Sequence, residues 1–218
     1  MNVRGAIFDF DGTLFDSMFI WDVIGSEYLS SIGYKPADAL NETLKAMSMD
    51  QAACYFKEEY GVAKSVPEIT QGVNQLLEHY YFDTIQLKSG VKDFLCKLND
   101  KGVKLCIATA TDKYLVEAAL RRTDLRPYFS QIFTCSNVGS GKDNPAIFLA
   151  AQSYLRTKIE ETIVFEDAVH ALRTAKAAGF LTVGIYDAYQ TDNDAVKEHA
   201  TIYLKDFSDF DTFWEFVT

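Results

Sequence analysis

The sequence predicts an α/β fold: a parallel sheet with helices on both faces, interrupted by one all-helical insert. Three observations carry this. Short apolar runs bounded by turn residues recur through residues 1–16 and 85–218 and alternate with stretches of helical period. Strands that alternate with helices pack as a parallel sheet between helical layers, joined by right-handed crossovers. Between residues 17 and 84 the alternation stops and only helical periodicity remains.

In chain order, 3–10 is a buried strand that ends among acids. The insert comes next, with Ile20, Trp21, Ile24 and Tyr28 on one helical face and Val73, Leu76, Leu77 and Tyr80 on another. Its connections, 14–17 and 84–90, are expected to act as hinges. Strands are then expected at 104–108, 131–135, 162–165, 181–186 and 201–204. Helices are expected at 91–98, 113–122, 145–154 and 168–178. Gly102 and Gly179 stand just past two of these helices, where a left-handed cap favours glycine. Phe207, Phe210, Trp214 and Val217 keep helical spacing and read as a core-packing stripe.

The chain has 218 residues, 48% of them apolar, enough for a sizeable core. Its formal net charge is −10. That charge repels nucleic acid, and Arg121-Arg122, the densest basic spot, is too small to reverse it. An anionic small molecule remains open if a metal and a few cations reverse the field locally. No apolar run reaches the roughly 18 residues of a membrane span, and too little chain precedes the first strand for a signal peptide. The four cysteines form no Cys-x-x-Cys pair and read as reduced thiols of a cytoplasmic protein.

Open parallel sheets bind ligands at the carboxyl ends of their strands. There the sequence places Asp9-Phe10-Asp11-Gly12-Thr13 after the first strand and Thr109-Ala110-Thr111 after the second. Lys142 comes after the third strand and Glu166-Asp167 after the fourth. Carboxylates so crowded repel one another unless a cation sits among them. An all-oxygen set suits Mg²⁺ better than zinc. Lys142 and the backbone N–H groups at Gly12 and Ala110 are then expected to hold phosphate oxygens. A carboxylate can attack phosphorus, and a second can protonate the leaving alkoxide and later deprotonate water. Asp9 and Asp11 are placed for those two parts. An EF-hand calcium loop would require an acid where Ile20 stands.

These residues resemble the haloacid dehalogenase superfamily, most of whose members are phosphatases, and the likeness covers essentially the whole chain. Asp9-Phe10-Asp11-Gly12-Thr13-Leu14 matches its first motif, which carries nucleophile and acid/base. Thr109 matches the phosphate-binding hydroxyl of the second motif and Lys142 the lysine of the third. Glu166-Asp167 matches the acidic fourth, which with Asp9 and Asp11 holds Mg²⁺. The resemblance implies a Rossmann-like core at 1–16 and 85–218, a helical cap domain at 17–84, and a small phosphorylated metabolite as substrate. Around Lys142 the chain departs from the family pattern, with Asp143 where proline is common and Ala146 where an acid usually precedes Ile-Phe.

Asp11 argues against carbon–halogen chemistry, because dehalogenases of this superfamily lack the second acid. A β-phosphoglucomutase is the alternative. Its cap carries a histidine where Trp21 stands, and a Gly-x-Ser-Arg string matched here by Ala46-Met47-Ser48-Met49. Methionine cannot clamp a second phosphate as arginine does, and Lys45 is the only cation nearby in sequence. A non-catalytic phosphate-binding or regulatory protein is the third reading. Phe19, Trp21, Met47 and Met49 either face a substrate with apolar or ring character or pack the insert. His79, His170 and His199 read as surface or packing residues.

Overall fold

The computed structural model describes residues 2–44, 47, 49–190 and 192–217. The chain divides into two compact units, residues 1–16 with 85–218, and residues 17–84.

The first unit is built on strands β1 (Gly5–Phe8), β2 (Phe15–Asp16), β3 (Gln86–Leu87), β4 (Lys104–Thr109), β5 (Phe129–Thr134), β6 (Thr162–Glu166), β7 (Leu181–Ile185) and β8 (Ile202–Leu204). Six of them form one sheet in the order β5-β4-β1-β6-β7-β8. Every neighbouring pair in it is parallel. The α/β expectation and its parallel sheet are therefore met. The chain leaves β1 toward β4 on one side and returns to β6 on the other, so the order switches at β1. A crevice opens at such a switch, beyond the carboxyl ends of the strands.

Side chains alternate across each strand, and the two faces are filled differently. On one, Ile7, Cys106, Ala108 and Val164 pack against Ile147, Phe148 and Ala151 of a helix at Ala146–Leu155, and against Ala171 and Ala175 of a helix at Val169–Ala177. Burial pushes the Cys106 thiol up, so it stays a neutral apolar filler. On the other face Phe8 stacks on Phe165 with ring centroids 4.2 Å apart. Phe94, from a helix at Val91–Asp100, and Phe207 and Phe213 close over this pair. Phe213 belongs to a last helix at Phe210–Val217, whereas Phe207 precedes it.

Several boundaries differ from those expected. Residues 3, 4, 9 and 10 lie outside β1, although the Arg4 and Asp9 N–H groups still donate to Glu161 O and Phe165 O at its two ends. The strand expected at 131–135 begins at Phe129, and Cys135 instead opens a short helix capped by Thr134. A helix at Asn193–His199, capped by Asp192, had no clear apolar period. The two expected hinges pair with each other: β2 and β3 form an antiparallel ribbon, Phe15 opposite Leu87 and Asp16 opposite Gln86. The second crossing ends at Gly90, whose φ is +79° and whose α-carbon faces the Phe207 backbone so closely that a Cβ would sit 2.5 Å from it.

The second unit is helical, as expected of the insert. Its longer helices span Ile24–Ser31, Met49–Tyr60 and Val66–His79. Ser65 and Glu68 form a capping box at the start of the last one. Tyr28 stacks on Phe56, and Gly72 lets the Tyr28 ring approach where a Cβ would meet it at 2.6 Å. Phe19, Trp21, Met47 and Met49 are half-buried. Lys45, Ala46 and Ser48, part of the stretch compared with the mutase string, lie outside the described residues. Among the described residues no helix is long and apolar enough to cross a membrane. The four cysteines are free.

Candidate active site

The site begins with the way β1 ends. The Asp9 N–H continues the ladder to Phe165 O at 2.9 Å, so Asp9 is held at sheet spacing beside β6. The chain then coils. Leu14 and Phe15 both donate to Phe10 O, and Gly12, at φ +73°, donates to Phe15 O. Phe10 and Phe15, both fully buried, stack 4.4 Å apart and anchor the coil in the core. The Gly12 N–H expected to hold phosphate is thus engaged in closing this turn. Ala110, the other expected amide donor, is exposed just past β4.

Polar partners complete the coil. Thr111 donates from its hydroxyl to Asp11 Oδ2 at 2.6 Å, and Thr13 donates to Asp167 Oδ1 at 3.1 Å. The Thr109 hydroxyl accepts from the Thr111 N–H at 3.1 Å, which ties the ends of β1 and β4 together through Thr111. The helix after β4 is capped at Asp112, so Thr109 is not its cap.

Lys142 reaches in from the turn after β5. Its ammonium lies 2.5 Å from both Asp9 Oδ1 and Glu166 Oε1. The other Glu166 oxygen accepts from the Ala168 N–H at 3.2 Å. Ala168, not Asp167, is the cap of the following helix. Asp9, Glu166 and Asp167 each bring a carboxylate oxygen within 4.8 Å of the others, and all three are buried.

Burial first, and then the neighbouring Asp9 charge, lift the Glu166 carboxyl to about 7, against the pull of Lys142. Burial, Glu166 and Asp9 likewise raise Asp167 well above the usual carboxylate range. Two buried acids that resist ionising beside a third would ionise more readily with a cation among them. The donor set, all oxygen, fits a hard divalent ion such as Mg²⁺.

The structure thus brings Asp9, Asp11, Gly12, Thr109, Ala110, Lys142, Glu166 and Asp167 to one edge of the sheet. It adds Thr13, Thr111 and Gln190, whose side-chain amide donates to Asp167 O at 3.2 Å. Thr13 lies inside the first motif and Thr111 stands two residues after Thr109, but the sequence assigned neither a role of its own. Gln190 sits in a loop after β7 and carries no signal.

The model of the haloacid dehalogenase-like hydrolases matches residues 6–185. A phosphorylated carbohydrates phosphatase of Thermotoga maritima is 26% identical over 192 residues, 88% of each chain. The pyrophosphatase PpaX of Anoxybacillus flavithermus is 27% identical over 95% of this chain and 92% of its own. The crystal structure of CbbY from Rhodobacter sphaeroides with phosphate shares the fold at a TM-score of 0.82, with 21% identity and 96% of each chain covered. With the match extending from the first core strand to the end of β7, the chain belongs to the haloacid dehalogenase-like hydrolase family.

Proposed function

We propose that this hydrolase is a Mg²⁺-dependent phosphatase of a small phosphorylated metabolite, working through an aspartyl-phosphate on Asp9. The observation that carries the reading is Lys142 between Asp9 and Glu166 at the switch point of the sheet, with Asp11 held apart by Thr111. The names of the relatives, which act on phosphorylated compounds, agree with it.

Asp9 is the nucleophile. One of its oxygens attacks phosphorus as the bond to the leaving oxygen breaks. Asp11 gives its proton to that alkoxide, then takes one from the water that attacks the phosphorus of the intermediate, releasing phosphate and restoring both acids. Thr111 holds Asp11 at 2.6 Å for this double role. Lys142, Thr109 and the Ala110 N–H hold the phosphoryl oxygens, and Gly12 supplies the turn that brings Asp11 back. The converging carboxylates of Asp9, Glu166 and Asp167 would hold the metal, with Glu166 shared with Lys142 and Ala168, while the Asp11 carboxyl, expected from the sequence to join them, is kept for proton transfer. Mg²⁺ supplies charge that offsets the repulsion between carboxylates and phosphate. The helical insert 17–84 acts as the cap that selects substrate.

The test is phosphate release from a panel of phosphorylated metabolites with Mg²⁺, in wild type and Asp9→Asn. The variant should retain its fold and lose more than about 1,000-fold in turnover, as loss of a nucleophile does. Retention of a sizeable fraction of the wild-type rate would remove Asp9 from that role.

A further inference from the structure

A second buried ion pair lies outside the carboxylate cluster. Lys88, just past β3, is only 7% exposed, and Asp187, past β7, only 2%. Lys88 Nζ lies 2.8 Å from Asp187 Oδ2, 3.0 Å from Tyr186 O and 3.1 Å from Asp16 Oδ1. These three acceptors match the three donors of an ammonium. Asp16 belongs to β2, so one lysine gathers both crossings of the ribbon and the loop after β7.

Buried pairs seldom add stability over an apolar pair of the same volume, and their better-attested yield is a fixed geometry. The geometry here leads to the carboxylate cluster. Asp187 Oδ1 accepts from Tyr189 N–H at 2.8 Å, and Asp187 O accepts from Gln190 N–H at 3.3 Å. Asn193 binds the loop from the other side, donating to Asp187 O at 2.7 Å and to Gln190 O at 3.1 Å. Gln190, so placed, donates its side-chain amide to the Asp167 carbonyl.

We propose that Lys88 and Asp187 are positioning residues that set the loop carrying Gln190, and that Gln190 fixes the backbone of Asp167 for metal binding. The proposal rests on the reading of Asp9, Glu166 and Asp167 as a Mg²⁺ site. Outer partners of ligating residues typically change metal affinity about 10- to 100-fold.

The experiment is a calorimetric Mg²⁺ titration of wild type, Lys88→Met, Gln190→Ala and the double variant, with melting temperatures in EDTA recorded separately. Each single variant should weaken Mg²⁺ binding about 10-fold. The double variant should bind no more weakly than the weaker single, because both act through one carbonyl. Gln190→Ala removes no buried charge, so it carries the test if Lys88→Met fails to fold. Unchanged Mg²⁺ affinity in Gln190→Ala overturns the proposal. So does a Lys88→Met protein that melts lower yet binds Mg²⁺ as wild type does, or single effects that multiply in the double variant. A wild type that binds no Mg²⁺ overturns the metal reading itself and this proposal with it.

Discussion

Replacing Lys142 by methionine removes the cation from the centre of the carboxylate cluster at nearly constant volume. Two carboxyl oxygens, Asp9 Oδ1 and Glu166 Oε1, each lose a partner at 2.5 Å. Breaking a buried pair from one side costs about 3–5 kcal/mol, a large share of the ~5–15 kcal/mol that holds a domain. The loss depends on pH. Glu166 is raised to about 7 chiefly by burial, while Lys142 pulls it down. Without Lys142 it rises further and stays protonated at neutral pH. A carboxyl raised in the folded state keeps its proton after the unfolded chain has released its own. Stability therefore falls as pH climbs from the ordinary carboxylate range to the folded value. In wild type that fall ends near pH 7; in the variant it continues above. Burial alone would lower Lys142, but Asp9 and Glu166 outweigh it and raise it, so its contribution is fully present below the ordinary lysine range. The deficit should be about 3–5 kcal/mol near pH 8 and shrink toward about pH 5. Urea unfolding in EDTA across that range, monitored by circular dichroism, measures it. A deficit under about 1 kcal/mol with no pH slope, the behaviour of a solvated surface pair, would refute the reasoning.

EDTA should abolish turnover and Mg²⁺ restore it, with Asp167→Ala needing more Mg²⁺; full activity in excess EDTA would end the metal reading. Calcium should inhibit, since its longer and looser coordination disturbs in-line geometry. Gly90→Ala should destabilise the protein by about 2–3 kcal/mol, because its Cβ would meet the Phe207 backbone at 2.5 Å and a positive φ adds strain; a melting temperature equal to wild type would contradict this. Offered β-glucose 1-phosphate with a trace of the 1,6-bisphosphate, the enzyme should release free phosphate, if it acts on it at all, without building up glucose 6-phosphate. Isomerisation faster than phosphate release would favour the mutase alternative.

The parallel sheet was legible because its strands are buried on both faces and so read as unbroken apolar runs, such as Leu105 to Ala108 and Ile163 to Phe165. Asp9, Thr109 and Glu166-Asp167 were legible because each stands at the carboxyl end of such a run, and the switch at β1 brings them together. The β2–β3 ribbon left no trace, since two-residue strands are too short for a period and their partners lie on opposite sides of the insert. Gly12 shows a different limit. Its identity announces a left-handed turn, yet which acceptor its N–H takes is decided by Phe15, drawn back by stacking on Phe10. Lys88 shows the deepest one. In sequence it is a single lysine between Leu87 and Ser89, where exposure is the ordinary expectation. It is buried beside Asp16, brought by the β2–β3 ribbon, and Asp187, brought by the loop after β7. Charges whose partners come from two other, distant segments have no local signature, so their placement comes from the assembled fold. They are where a variant that looks conservative in sequence, such as Lys88→Met, should do most to the neighbouring site.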